Sequence, residues 1–85
     1  MADSGTGYEM TFAEFVQLFT YPAYREKARP CIREWLGYEA KVDGERLQFE
    51  LPGGGAISAE RVYERVQRDA PLQRKVYNLA MSLWR

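Results

Sequence analysis

The chain contains no histidine and a single cysteine, Cys31. The first absence removes the commonest general base and the commonest metal ligand. The second rules out an intrachain disulfide and any multi-cysteine metal site. A nucleophile would need a carboxylate or lysine as its base, and no such grouping stands out by spacing. Cys31 follows Pro30. If a new helix began at that proline, the thiol would sit near a positive helix end and ionise more readily. On an uninterrupted helix it is a small hydrophobe beside Ile32. Glu60 and Glu64 lie one turn apart, but Arg61, Arg65 and Arg68 on the same segment are expected to pair with them in solvent. Gly53-Gly54-Gly55 precedes a helix start, in outline a phosphate cradle. The following Ala56, Ile57 and Ser58 supply neither the lysine and hydroxyl of a P-loop nor the last glycine of a dinucleotide loop, so a mobile connection is expected. The parts for an enzyme are missing, and no cofactor or metal is expected.

Charge is more informative by position than in total. Twelve basic residues balance twelve acidic ones, so no overall field draws the chain toward nucleic acid or acidic lipid. Residues 1–21 carry −3, residues 22–37 carry +2, residues 38–55 carry −2 and residues 56–85 carry +3. Nine of the twelve bases are arginine, which favours bidentate pairing with carboxylate or phosphate. Arg25, Arg29 and Arg33 stand a turn apart on a segment that follows a helix and a short turn and precedes a hairpin. That order imitates a helix-turn-helix with a wing. The hairpin tip carries Asp43 and Glu45, which meet phosphates with the wrong sign, and Pro30 interrupts the would-be recognition helix. Nucleic-acid binding of the winged helix-turn-helix type is therefore the alternative reading.

The apolar pattern of the last helix leads elsewhere. Leu72, Val76, Leu79, Ala80 and Leu83 form one stripe, which a domain core explains. Tyr77, Met81 and Trp84 form a second at i, i+4 and i+7. At 100° per residue the two span about 200°, where a surface helix ordinarily buries little more than about 100°. Tyrosine, methionine and tryptophan are enriched at interface centres. With Arg74 and Arg85 at the polar margin, this second stripe is the expected partner or dimer surface; the other reading is that it closes a thin core.

The elements that position these residues follow from caps and periodicity. Thr11 and Glu14 form a capping box, with Met10 and Phe15 as its hydrophobic staple. Phe12, Phe15, Val16 and Phe19 share one helical face, and the helix stops near Thr20 because Pro22 disfavours helical geometry at Tyr21. Pro22 opens a second helix that runs to Gly37; Pro30 must kink or split it, and the apolar face staying in phase favours a kink. Then the period changes to two. Tyr38, Ala40 and Val42 alternate with polar residues, as do Leu47, Phe49 and Leu51. Asp43-Gly44 between them predicts a two-residue type I′ turn that pairs Ala40 with Leu47 and Tyr38 with Phe49. Ser58 caps a third helix, and Pro71 opens a fourth.

At 85 residues, folding buries roughly 60–65% of the unfolded surface, enough for one thin core. The sequence is 46% hydrophobic, 14% aromatic and 28% charged, ordinary for a globular chain. The expected fold is α+β and mostly helical, a small single domain over residues 11–85 with order α-α-β-β-α-α and one antiparallel hairpin. Residues 1–10 lack period and read as a flexible arm. No apolar run exceeds three residues, so neither a membrane span nor a secretory segment is visible, and the expected location is the cytoplasm. The expected function is a non-catalytic protein-binding module: a small adaptor, regulator or inhibitor whose partner is another protein or a second copy of itself.

Overall fold

Thr11 starts helix α1 (Phe12–Thr20) by reciprocal bonds. The Glu14 N–H donates to Thr11 Oγ1 at 3.1 Å, and the Thr11 N–H donates to Glu14 Oε1 at 2.8 Å. Met10 and Phe15, the staple around this cap, are both buried, so the chain's entry angle is held by packing as well as by hydrogen bonds. The computed structural model describes residues 7–84. Tyr21 alone separates α1 from α2 (Pro22–Leu36). Its ψ of 120° is the extended value imposed by the following proline. Pro30 lies inside α2 without dividing it, so the carbonyl four residues back, at Glu26, goes without its helical donor. Gly37 ends α2 at φ 75°, its N–H donating to the Arg33 carbonyl at 2.8 Å. A side chain there would be strained by φ and would press its Cβ to 3.3 Å from Pro52 Cγ.

Strands β1 (Glu39–Asp43), β2 (Arg46–Glu50) and β3 (Ala56–Ser58) form an antiparallel meander with β2 central. The hairpin has the expected side-chain parity but a register displaced by two residues. Val42 faces Leu47 and Ala40 faces Phe49, in place of Ala40 with Leu47 and Tyr38 with Phe49. The central pair of the turn is Gly44-Glu45, with Gly44 at φ 64°. Glycine thus occupies the first central position, where both primed turns need positive φ. The third strand was not expected. It exists because Pro52–Gly55 is a tied reversal: the Leu51 N–H donates to the Gly55 carbonyl and the Gly54 N–H to the Leu51 carbonyl, each at 3.1 Å. The chain therefore returns along β2, with Phe49 opposite Ile57.

Ser58 Oγ accepts from the Arg61 N–H at 3.3 Å and begins α3 (Ala59–Arg68). Asp69 Oδ1 accepts from the Leu72 N–H at 3.2 Å and begins α4 (Ala70–Trp84). One face of the sheet lies on the helices and the other, with Lys41, Gln48 and Glu50, meets solvent. Phe15 and Phe19 of α1 and Phe49 of β2 are essentially inaccessible and meet ring to ring, Phe19 and Phe49 edge-on at 5.3 Å. Each such burial contributes about 1.5–3 kcal/mol. Leu18 of α1, Ala28 and Ile32 of α2, Val62 and Val66 of α3 and Val76 and Ala80 of α4 pack around these rings in the same core.

Order reaches beyond Thr11 toward the N-terminus. Met10 is buried, and its carbonyl accepts from the Tyr63 hydroxyl at 2.6 Å. Tyr8 packs edge-on against Tyr77 at 5.3 Å. Residues 7–10 of the expected arm thus form a strap across α3 and α4, and residues 1–6 lie outside the described residues. Among the described residues, no helix is long and apolar enough to cross a membrane.

Candidate functional site

The residues with catalytic potential come first. Because α2 continues through Pro30, Cys31 lies in mid-helix and gains nothing from a helix N-terminus. Burial and then the neighbouring Glu34 carboxylate push its thiol above its ordinary pKa. That direction opposes thiolate formation. Among the described residues, no three histidine, cysteine, aspartate or glutamate side chains are grouped to hold a metal ion. The glycine-rich segment is the reversal already described, in which the Gly54 N–H donates to the Leu51 carbonyl and the Gly55 carbonyl accepts from the Leu51 N–H.

Two of the three arginines of α2 meet the sheet. Arg29 Nη2 lies 3.2 Å from Glu39 Oε2, and Arg33 Nε lies 3.8 Å from Glu39 Oε1. One carboxylate of β1 therefore bridges two of the three guanidiniums, with Glu26 and Glu34 interleaved on the same helix. The bridge is loose: the Arg33 side chain is 73% exposed, and Arg29 Nε is buried without an acceptor. Exposed pairs of this kind contribute about 0–1 kcal/mol. Arg25 borders the same depression, which presents both signs of charge rather than a basic face. Asp43 and Glu45 stand exposed at the hairpin tip.

On α4, Arg74, Tyr77, Met81 and Trp84 lie at helical spacing, and the structure divides them. Tyr77 is covered in part by Tyr8, and the Arg74 guanidinium stacks over the Tyr8 ring at 5.0 Å. Trp84 is half-buried and packs on the core with Leu79 and Leu83. Met81 is 38% exposed. Arg85 lies outside the described residues.

A groove that the sequence reading missed lies between α1 and the hairpin. The cross-strand pair Val42 and Leu47 continues the buried face of the sheet past the last core residues toward the turn. Phe12 and Val16 of α1 line the opposite wall, and the space between is about 440 Å³. Phe12 is 36% exposed, although one edge of its ring meets Tyr63 at 5.4 Å. Lys41, Asp43, Glu45, Arg46 and Glu60 form a rim of mixed sign. The groove thus has an apolar floor inside a charged rim. The groove depends on the displaced register, since the expected pairing would have set Val42 opposite Glu45. The one legible signal was the alternation of Val42 and Leu47.

Set against known proteins, the chain matches no family model, no curated protein by sequence and no solved structure by fold.

Proposed function

We propose that this chain is a non-catalytic protein-binding module, an adaptor, regulator or inhibitor that seats an apolar side chain of its partner in the groove between α1 and the hairpin tip. The observation that supports this reading is the half-exposed set Phe12, Val16, Val42 and Leu47, drawn from two elements onto one concave surface. Apolar anchors in such a groove dominate affinity, and a mixed-sign rim selects among partners.

The test compares wild type with Phe12→Glu and Met81→Glu. A carboxylate at the first position of α1 suits the positive helix end, so Phe12→Glu keeps the fold while placing a charge in the groove. Each protein is used to capture binders from host lysate, with and without nuclease, and its sedimentation is measured alone. The expected result is a nuclease-resistant protein partner, or a self-associated species, lost with Phe12→Glu and retained with Met81→Glu. Loss with Met81→Glu alone would move the site to α4. Recovery that vanishes on nuclease treatment would replace this reading with nucleic-acid binding.

A further inference from the structure

The outer face of α3 carries three arginines, Arg61, Arg65 and Arg68, at i, i+4 and i+7. All are exposed. The expectation that Glu60 and Glu64 neutralise them is not met: among the described residues no carboxylate lies within 4.0 Å of any of the three. Arg29, Arg33 and Lys41 do have such partners, whereas among the described residues Arg25, Lys27, Arg46, Arg74 and Lys75, like the α3 row, do not. Arg65 and Arg68 complement the negative end of the helix. Arg61 does the reverse, standing in the first turn where the dipole disfavours a cation. Helix stability therefore accounts for Arg65 and Arg68 but not for Arg61.

The row borders a cleft of about 410 Å³ on the side of the sheet's third strand, lined also by Glu64, Asp69, Ile57 and the edge of Tyr38, which is otherwise buried. The Tyr38 hydroxyl has no hydrogen-bond partner among the described residues. At a rise of 1.5 Å per residue the three guanidiniums emerge about 6 and 4.5 Å apart along the axis. Carboxylates at i, i+4 and i+7 of another helix repeat those intervals. Each guanidinium offers a planar fork matched to one carboxylate.

We propose that this face docks an acidic helical segment of a partner protein, its carboxylates on Arg61, Arg65 and Arg68 and one apolar side chain against Tyr38 and Ile57. Glu64 and Asp69 stand among the guanidiniums, so discrete carboxylates set one per arginine at the helical spacing fit better than a continuous run of phosphates, which would meet both acids. The site is separate from the groove of Phe12 and Leu47, so either can fail without the other.

The test titrates the full chain with a synthetic helical peptide carrying glutamates at i, i+4 and i+7 and one adjacent leucine. Binding is followed by anisotropy and by amide chemical shifts. Binding is expected to weaken roughly tenfold or more in the double variant Arg61→Gln, Arg65→Gln, and to stay unchanged in Arg29→Gln, Arg33→Gln. Shifts should gather at Tyr38, Ile57 and the α3 arginines. Exposed Arg→Gln changes on a helix cost little stability, so folded protein is expected throughout. Equal affinity for a peptide with glutamine in place of glutamate would overturn the proposal. So would an equal loss in the α2 variant, or tighter binding of a single-stranded oligonucleotide of the same charge.

Discussion

The Tyr63 hydroxyl donates to the Met10 carbonyl at 2.6 Å, joining positions 53 residues apart. The bond ties the strap before α1 to the middle of α3. Tyr63→Phe removes only the donor and leaves the Met10 carbonyl without it, at a cost of about 1–2 kcal/mol. In a domain of this size that lowers the melting temperature by roughly 4–8 °C per kcal/mol. Burial first, and then the Glu14 and Glu9 carboxylates, raise the phenol above its ordinary 10.0. A group whose folded pKa is raised contributes fully below its unfolded value and loses that contribution as pH climbs through the folded one. The stability gap between wild type and Tyr63→Phe should hold constant up to about pH 10 and narrow above it. Urea titrations from pH 7 to 11 measure it; a gap that widens with pH contradicts the assignment.

Gly44 supplies the second prediction. A Cβ added there meets nothing within 4 Å, so the cost of substitution lies in the backbone alone at φ +64°. Gly44→Val should destabilise by about 1–2 kcal/mol, and Gly44→Asn by clearly less, since asparagine tolerates the left-handed region. Asp43→Ala should cost less than Gly44→Val, because Asp43 ends β1 opposite Arg46 and lies outside the central pair. Thermal melts of the three variants rank them. Equal losses in Asp43→Ala and Gly44→Val would argue for Asp43-Gly44 as the central pair after all.

Pro30 gives a prediction of the opposite sign. It is exposed inside α2, so its ring adds little packing while it denies the Glu26 carbonyl a donor. Proline in a helix interior is roughly 3 kcal/mol worse than alanine. Pro30→Ala should therefore raise stability, by about 1–3 kcal/mol after allowing for the greater freedom of the unfolded chain. A lower melting temperature would mean that the proline's local geometry is required by the packing of Ala28 and Ile32.

The C-terminal helix separates two cases. Trp84 packs on the core, whereas Met81 is 38% exposed. Trp84→Ala should lower the melting temperature measurably, though by less than the 3–5 kcal/mol typical of a fully buried tryptophan. Met81→Glu should leave it within about 0.5 kcal/mol of wild type. If Trp84→Ala melts like wild type, that side chain belongs to a surface and α4 becomes the stronger docking candidate.

The helix ends were legible because each is written in a few adjacent residues: Thr11 with Glu14, Ser58, and Gly37 before a change of period. The helices, the hairpin and its inward face followed from the same local signals. The register did not. Shifting the hairpin by two residues preserves every apolar side chain's face, so alternation cannot distinguish Asp43-Gly44 from Gly44-Glu45 as the central pair. The third strand escaped because Ala56-Ile57-Ser58 is too short to show a period and follows glycines that read as slack. The candidate site was harder still. The groove at Val42 and Leu47 appears only once the register is known. The α4 stripe could not be divided in advance, since nothing in its own spacing shows that Tyr8 covers Tyr77.

The sheet is a meander in which every strand pairs with its neighbour in sequence, and α1 packs on α2 as α3 does on α4. Local contacts of this kind favour fast folding, because little loop entropy is spent before they form. The bond from Tyr63 to Met10 is the opposite kind, closing a loop whose entropy must be spent before the contact returns anything. It is expected to form after the rate-limiting barrier, so that its loss accelerates unfolding and leaves the folding rate nearly untouched. The strap then sets how long the native state lasts, while the meander and the helix pairs set how quickly it is reached.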